Sequence, residues 1–264
     1  MITNLKKIPK SLFNKMIETV MGTEKITWYK TINWEQAIRA FQGSKTVYPS
    51  YYTLVNYHGI KNGYLNPIAA ITYDIITPLA TLPSEQWLRQ YLLKAITVNP
   101  KKILELGCGT GTNTINLKKT FPDAVVIGLD LSPYMLVIAD KKAQKDQQEI
   151  IWKQGLAEST EIPSSSFQLI IISLLFHEVP NAVSQAILKE SWRLLKPKGQ
   201  LIILDGNQNR LRHMKWLTQL FREPYSATYA QGNIIEWLEK NAFQDIQVQL
   251  AGGIYQVTSA YKFQ

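Results

Sequence analysis

The fold is decided by one stretch of the sequence, Lys102-Ile103-Leu104-Glu105-Leu106-Gly107-Cys108-Gly109-Thr110-Gly111. Its first half is a short apolar run, typical of a buried strand, and its glycines then alternate before a predicted helix, Thr112 to Thr120. Glycine permits unusual backbone angles and lets main-chain N–H groups approach a ligand at the positive end of a helix. The stretch therefore predicts a strand, a tight turn and a helix start that hold a nucleotide-like molecule or its charged tail.

A carboxylate follows at the end of the next predicted strand. Residues Val125 to Asp130 form a second apolar run, and Asp130 lies nineteen residues after Gly111. An acid at this place can accept hydrogen bonds from both hydroxyls of a ribose. The glycine spacing is Gly-x-Gly-x-Gly rather than the Gly-x-Gly-x-x-Gly of dinucleotide binders, and this shorter spacing suits a ligand without a pyrophosphate.

These residues resemble a known family, the class I S-adenosylmethionine (SAM) dependent methyltransferases. Glu105 to Gly111 resembles the first motif of that family, and Leu129 to Leu136 resembles its second-strand motif with the following helix. Gln154 to Glu158 resembles the adenine-side loop, and Leu194 to Leu201 resembles the turn into the fifth strand. The resemblance covers roughly Leu93 to Lys262 and implies a SAM-dependent methyltransferase.

The resemblance implies an α/β fold, a Rossmann-like doubly wound sheet of seven strands that is mostly parallel with an antiparallel C-terminal hairpin. The alternation of predicted strands and helices after Lys102 agrees with such a sheet. Two predicted strands, Ile246 to Leu250 and Ile254 to Lys262, are joined through Gly252-Gly253 as in a hairpin. We predict a helical, tyrosine-rich N-terminal extension at 1–92 and a SAM-binding domain at 93–264, with a basic insertion at about 207–231.

The resemblance also implies a cofactor site. The glycine loop would hold the methionine moiety of SAM, Asp130 the ribose, and Leu131, Leu156 and Ala157 the adenine. Family members often carry an acid at the position of Leu156, so adenine binding here is expected to depend more on the Ala157 backbone and on apolar contact. The candidate cofactor-binding residues are Glu105, Gly107, Cys108, Gly109, Gly111, Asp130, Leu131, Leu156, Ala157 and Ser173. The product would be S-adenosylhomocysteine.

Candidate catalytic residues follow the fourth predicted strand, in Leu174 to Pro180. The carboxyl ends of the strands line the ligand crevice of an open α/β sheet, so this segment should face the acceptor. His177 is the leading general-base candidate because a neutral imidazole can take the proton of a hydroxyl or amine. The alternative is a histidine that only orients the loop. Glu178 either assists or is an acid at a helix start.

An aromatic segment before the core offers two further candidates. It contains six closely spaced rings broken by proline and glycine, namely Tyr48, Tyr51, Tyr52, Tyr57, His58 and Tyr64. Tyrosine rings supply apolar walls with one polar end, which suits a lid over the cofactor and an apolar acceptor, and their faces attract a sulfonium cation. Docking of the extension on the core explains them equally well. Tyr57 and His58 are the rings expected to face the site.

Composition excludes several classes of protein. The chain has one cysteine, Cys108, so an internal disulfide is excluded, a metal site is not predicted and a cytoplasmic location is expected. No apolar run predicts a signal peptide or membrane span, although Ile8 to Met21 could form an amphipathic helix on a membrane surface. Residues 1–100 carry eleven Lys and Arg against five Asp and Glu, and the whole chain has a net charge of +9. A solvated basic surface explains this balance more simply than a nucleic-acid partner.

The sequence predicts a methyltransferase acting on an oxygen or nitrogen of a small molecule or short natural-product peptide. A carboxylate acceptor would suit the basic residues of the insertion, which are Arg210, Arg212, His213, Lys215 and Arg222. A lipid quinone or RNA acceptor using the basic extension stays open as an alternative, as does a non-catalytic SAM-binding module. A nicotinamide-dependent oxidoreductase is disfavoured by the glycine spacing and the terminal hairpin. The acceptor, the atom methylated and the oligomeric state are not predicted.

Overall fold

A computed structural model describes residues 31–41, 46–80, 84–214 and 223–263 of the chain. Seven strands form one sheet, in the order β3-β2-β1-β4-β5-β7-β6. The strands are β1 (Lys102–Leu106), β2 (Val125–Asp130), β3 (Ile151–Gln154), β4 (Phe167–Ser173), β5 (Leu195–Gly206), β6 (Gln244–Ala251) and β7 (Tyr255–Lys262). The predicted doubly wound sheet is confirmed.

Ten α-helices lie within the described residues. They are α1 (Trp34–Arg39), α2 (Ser50–Thr53), α3 (Pro67–Ala80), α4 (Glu85–Lys94), α5 (Thr112–Thr120), α6 (Pro133–Lys145), α7 (Asn181–Leu194), α8 (Gln208–Arg212), α9 (Ser226–Gln231) and α10 (Ile234–Lys240). Short 3₁₀ turns cover Tyr57–Gly59 and Phe176–Glu178. The amphipathic helix considered for Ile8 to Met21 lies outside the described residues.

Strand directions follow the expected pattern. β1 pairs in parallel with β2 and with β4, and β4 pairs in parallel with β5. β7 lies antiparallel to both β5 and β6, so the predicted C-terminal hairpin is confirmed. The chain leaves β1 toward β2 and β3 and then returns to β4 on the other side of β1. This reversal opens a crevice at the carboxyl ends of β1 and β4, where ligands bind in such sheets.

The two faces of the sheet are buried by separate sets of helices. On one face Leu104 and Leu106 belong to a cluster that includes Leu188 of α7 and Trp237 of α10. On the other face the neighbouring residue Ile103 packs in a cluster that includes residues of α4 and α5. Successive strand residues point to opposite faces, and with helices on both sides a parallel strand becomes apolar throughout. The result is a rigid platform beneath the crevice.

The N-terminal extension lies over the carboxyl ends of the strands. Side chains cap two of its helices: Gln36 donates its N–H to Asn33 Oδ1 at 3.2 Å, and Trp87 donates its N–H to Ser84 Oγ at 3.2 Å. Between them, buried Tyr52 and Tyr57 pack with Leu131 from the end of β2. Within the described residues no helix is long and apolar enough to cross a membrane.

Candidate active site

The glycine loop joins β1 to α5 and is tied down by its own main chain. The N–H groups of Gly107 and Cys108 both donate to Leu129 O, at 2.8 and 3.0 Å, and that of Gly111 donates to Cys108 O at 2.9 Å. The first two hydrogen bonds hold the loop against β2, and the third closes the turn within the loop. These three N–H groups are therefore already bonded within the main chain, and contact of the loop with the methionine moiety stays a prediction.

Glycine is required at two positions of the loop for different steric reasons. A Cβ built on Gly109, where φ is +53°, would meet only the Tyr73 ring, at 3.8 Å, so the loop presents a smooth surface toward the cleft there. A Cβ on Gly111, where φ is +74°, would lie 2.5 Å from the Trp152 ring and 2.8 Å from Ala139 Cβ. Gly109 thus leaves room for a ligand, whereas Gly111 lets the loop pack against its own domain.

Asp130 stands at the end of β2 with part of its acceptor capacity unused. Gly109 N–H donates to its Oδ2 at 2.8 Å, and Ser132 N–H donates to its Oδ1 at 2.8 Å. Burial raises its pKa to about 6, despite these two backbone hydrogen bonds, which lower it. Each carboxylate oxygen retains a lone pair. The side chain is therefore available to accept from two further donors, such as a pair of ribose hydroxyls.

Four of the predicted cofactor residues do not line the cleft, namely Glu105, Cys108, Ser173 and Gly111, which packs against Trp152. Glu105 is buried beneath the loop, where Asn113 Nδ2 donates to its Oε1 at 2.9 Å and Thr114 Oγ donates to its Oε2. The Glu105 carboxylate therefore holds the start of α5 in place. Cys108 is also buried, and burial raises the pKa of its thiol. Ser173, at the end of β4, lies outside the cleft wall as well.

A second layer supports the loop from α3 and α6. Asp74 accepts from Thr110 Oγ1 at 2.5 Å and pairs with Lys142 Nζ at 2.6 Å. Lys142 also donates to Thr112 Oγ1 at 2.5 Å. Asp74 and Lys142 were not predicted. Their partners Thr110 and Thr112 lie thirty or more residues from them in the sequence, and no local motif marks either residue.

A single cleft connects the loop to the aromatic segment, with about 690 Å³ of space including its open mouth. The lining residues that come from the glycine loop, β2, α6 and the segments after β2 and β3 are Gly107, Gly109, Leu129, Asp130, Leu131, Met135, Gly155, Leu156, Ala157 and Glu158. We call this set the loop half. The lining residues that come from the extension, the segment after β4 and α7 are Tyr51, Tyr52, Tyr57, Tyr64, Tyr73, Leu174, Leu175, Glu178, Val179 and Ile187. We call this set the tyrosine half. The cleft thus joins the predicted cofactor residues to an apolar, aromatic space.

The rings of the tyrosine half form a continuous wall. Tyr57 and Tyr64 stack with ring centroids 4.9 Å apart, Tyr52 lies 5.9 Å from Tyr57, and Tyr73 meets Tyr64 edge-on at 6.3 Å. Tyr57 donates its hydroxyl to Tyr51 O at 3.1 Å. Of the two rings expected to face the site, Tyr57 lines the cleft and His58 does not. Other contacts dock the extension on the core: Tyr52 and Tyr57 pack with Leu131, and Tyr51 donates its hydroxyl to Glu158 at 2.5 Å. The lid role of the tyrosines stays a prediction.

Glu178 brings the extension and the core together at the end of the tyrosine half. Its Oε1 accepts from Tyr64 Oη at 3.0 Å and lies 3.0 Å from His58 Nε2. His58 Nε2 is also 2.9 Å from Tyr64 Oη. Burial raises the pKa of Glu178, but the hydrogen bond and charge of His58, with the nearby His177, outweigh it and leave the pKa below its usual value. Glu178 is thus a buried carboxylate in the cleft wall rather than the acid of a helix start.

His177 lies behind Glu178 and not in the cleft wall. Its Nδ1 is 2.6 Å from Asp205 Oδ1, at the end of β5, and its Nε2 is 3.7 Å from Glu178 and 3.9 Å from Glu223. Burial lowers the pKa of His177, but the charges of Asp205 and Glu223 outweigh it and raise the pKa to about 10. The neutral imidazole expected from the sequence is therefore not the form that these contacts favour. His177 is better placed to hold Glu178 than to take a proton from an acceptor.

Asp205 organises this corner of the site and was not predicted. It is 1% exposed, and its Oδ2 accepts from Phe176 N–H at 2.8 Å while its Oδ1 accepts from Gly206 N–H at 2.7 Å. Its place at the carboxyl end of a strand beside the crevice was a usable signal.

The basic residues of the insertion do not serve the cleft as expected. Arg212 donates to the carbonyls of Ala230 and Gly232 at 2.7 and 2.8 Å, and Arg210 donates to Gly253 O. These guanidinium groups are satisfied by backbone oxygens, so the prediction that they select an anionic acceptor is wrong for both. His213 is exposed. Lys215 and Arg222 lie outside the described residues.

The loop half fits SAM. Gly109 offers an open surface, because it has no side chain to occupy the space of a ligand. Asp130 has acceptor capacity for the hydroxyls of a ribose. Leu131 and Leu156 line the cleft and would supply apolar contact for an adenine. Comparison with known proteins agrees. The family described as "Methyltransferase domain" matches residues 103–199.

Curated relatives carry the same assignment, and a solved structure shares the fold. The chain is 34% identical over 171 residues to a demethylmenaquinone methyltransferase of Lactobacillus johnsonii, covering 62% of this chain and 69% of that one. It is 32% identical over 134 residues to one of Thermus thermophilus, covering 50% of this chain and 60% of that one. Haemonchus contortus phosphoethanolamine N-methyltransferase 2, solved with SAM, shares the fold with a TM-score of 0.62 at 16% identity, over 82% of this chain and 61% of that chain.

Together the fold, the loop half of the cleft and these matches define a methyltransferase that uses SAM. The chain belongs to the class I SAM-dependent methyltransferases. It spans between about half and two thirds of the length of several of the curated relatives it matches.

Proposed function

We propose that this enzyme transfers the methyl group of SAM to an oxygen or nitrogen of a small-molecule acceptor bound in the tyrosine half of the cleft. The observation that carries the proposal is that the loop half and the tyrosine half share one cavity. A methyl donor bound in the loop half and a methyl acceptor bound in the tyrosine half would contact each other with no protein between them. Ring faces and leucine side chains provide the apolar, orienting walls that small-molecule sites use.

We assign the binding roles from the geometry of the loop half. The Asp130 carboxylate would accept from the ribose hydroxyls, the Gly109 surface would lie against the methionine part, and Leu131, Leu156 and Ala157 would enclose the adenine. Glu105 and Cys108 support the loop from beneath. Tyr51, Tyr52, Tyr57 and Tyr64 would close the cleft from the extension, which makes residues 46–64 a lid that is also docked on the core.

The chain accelerates transfer by alignment. When bound, SAM supplies an electrophilic methyl group on a sulfonium. The protein's task is to hold the acceptor atom in line with that group at near-contact distance and to keep water out. The stacked pair Tyr57 and Tyr64 and the buried side chain of Glu178 restrict where an acceptor can lie. A displacement of this kind needs little covalent help from the protein.

The charges of the cleft narrow the acceptor class. Its wall contains the acids Asp130, Glu158 and Glu178, and among the described residues it contains no Lys, Arg or His. A carboxylate acceptor would face like charge in a poorly solvated space, which is costly. The proposal is therefore a hydroxyl or amine acceptor rather than a carboxylate.

A methyl-transfer assay tests the proposal. Purified enzyme with SAM labelled in the methyl group is incubated with a set of apolar phenols, alcohols and amines, and product is extracted and identified by mass spectrometry. Transfer to oxygen or nitrogen that is reduced at least tenfold by Tyr57→Ala supports the acceptor half assigned here. Transfer only to added carboxylates would overturn it. Glu239→Gln provides the control, since Glu239 is exposed on the solvent side of α10 and should not affect transfer.

A second acceptor class has its own support. Several curated relatives are named as demethylmenaquinone methyltransferases, and the tyrosine half is apolar enough for a quinone ring. A short-chain demethylmenaquinone, reduced to its quinol, added to the same assay decides between the two. Methylation of the ring carbon, with no transfer to any oxygen or nitrogen acceptor, would replace the first proposal with this one.

A further inference from the structure

One buried oxygen in the cleft wall lacks a partner. Glu178 is 7% exposed, and its Oε1 is satisfied by Tyr64 and His58. Its Oε2 is buried and accepts no hydrogen bond within the described part of the chain. Buried polar atoms are almost always hydrogen-bonded, and an unpartnered carboxylate oxygen is among the costlier exceptions. Because Glu178 lines the tyrosine half, a donor on a bound acceptor can supply the missing bond.

The surroundings keep Glu178 charged and fixed. His58 and Tyr64, both from the extension, approach its Oε1 at 3.0 Å, and His177 stands behind it at 3.7 Å. These neighbours hold the pKa of Glu178 below its usual value although burial opposes them. Asp205 and Glu223 in turn face His177. A carboxylate with a lowered pKa stays ionised, and its unbonded Oε2 can accept from a positively charged donor.

The rest of the wall also favours a cation. Tyr57, Tyr64 and Tyr73 line the same cleft, and aromatic rings attract cations in a desolvated site. Glu158 lines the cleft too, although Tyr51 already donates to it at 2.5 Å. An aromatic wall with one buried, incompletely bonded carboxylate is the chemistry that recognises an ammonium group.

We propose that Glu178 Oε2 is the subsite for an amine on the acceptor, which makes the acceptor a primary or secondary amine with an apolar body. This rests on the proposed methyl transfer and specifies its substrate class. The ammonium form binds and loses one proton to solvent. The nitrogen lone pair then forms a bond to the methyl carbon, the carbon–sulfur pair returns to sulfur, and the positive charge passes from the sulfonium to the methylated nitrogen. Glu178 stabilises the charge that develops on nitrogen, so its effect is larger in the transition state than in the bound amine.

Binding measured with the product cofactor tests the subsite without requiring turnover. The full chain is saturated with S-adenosylhomocysteine and titrated by calorimetry with four amines, each matched to its alcohol. The pairs are benzylamine and benzyl alcohol, 2-phenylethylamine and 2-phenylethanol, tryptamine and tryptophol, and octylamine and octanol. A charge-assisted hydrogen bond predicts that at least one amine binds about 10- to 100-fold more tightly than its alcohol.

Glu178→Gln keeps the shape and removes the charge, so this preference for the amine should disappear while S-adenosylhomocysteine still binds. Glu239→Gln, on the exposed face of α10, is the matched control and should keep the preference. Failure of every amine to exceed its alcohol, or an unchanged preference in Glu178→Gln, would overturn the subsite. Failure of S-adenosylhomocysteine to bind the wild type would instead overturn the methyltransferase proposal, so the two outcomes are distinguishable.

Discussion

Of the glycines in the loop, Gly111 should be the one whose substitution by alanine destabilises the domain most. Gly111 has φ +74°, a conformation that costs an ordinary residue about 1–2 kcal/mol. Its added Cβ would lie 2.5 Å from the Trp152 ring and 2.8 Å from Ala139 Cβ. Overpacking of this kind typically costs a further ~1–3 kcal/mol. The expected loss of unfolding free energy is therefore about 2–5 kcal/mol.

Urea denaturation followed by circular dichroism measures this loss, and Gly253→Ala is the matched control. A Cβ on Gly253 would meet nothing within 4 Å, so that variant should stay within about 0.5 kcal/mol of the wild type. A companion variant separates the two causes of the loss. In a Trp152→Leu background the ring is gone and only the Ala139 contact and the backbone part remain, so the added cost of Gly111→Ala should shrink. Equal midpoints for Gly111→Ala and Gly253→Ala would refute the reasoning.

Two further predictions concern charge. Asp205→Asn removes the charge that, with Glu223, holds the pKa of His177 at about 10, so this pKa should fall toward 6.5; NMR titration of the imidazole measures it, and an unmoved pKa would contradict the assigned pairing. The pKa of Asp130 is raised to about 6 by burial, and ribose hydroxyls bind its ionised form. Affinity for S-adenosylhomocysteine should therefore be full above pH 6 and fall about tenfold per unit below it. In Asp130→Asn calorimetry should find that this pH dependence is lost, and its persistence would assign the titration elsewhere.

The loop half could be predicted from the sequence because its chemistry is local. Gly107, Gly109, Gly111 and Asp130 lie within one strand, turn, helix and strand, and the glycine spacing directly reflects the turn that the backbone makes. The sheet could be predicted for the same reason, because the hydrophobic periods of strands and helices extend over only a few neighbouring residues. The bonding of the Gly107 and Cys108 N–H groups to Leu129 could not be predicted locally, since it depends on how β1 and β2 pair.

The tyrosine half could be predicted only in outline. Tyr64 and Glu178 are 114 residues apart, and His177 and Asp205 are 28 residues apart, so their contacts arise from the docking of the extension and from the order of the strands. Composition indicated an aromatic lid, but it could not show that Glu178 rather than His177 faces the cleft. Arg210 and Arg212 illustrate the same limit. Their charge suggested that they bind an anionic methyl acceptor, whereas in the folded chain they donate hydrogen bonds to backbone oxygens.

We propose that the loop half binds SAM through the Asp130 carboxylate. Calorimetric titration of the ligand-free enzyme with S-adenosylhomocysteine measures this contact on the wild type, on Asp130→Ala and on the exposed control Asp123→Ala. Micromolar binding is expected for the wild type and for Asp123→Ala, with a loss of about 10- to 100-fold in Asp130→Ala, since charge-assisted hydrogen bonds to two hydroxyls disappear. Equal affinity of Asp130→Ala and the wild type would contradict the assigned ribose contact, and no binding to the wild type would contradict the use of SAM.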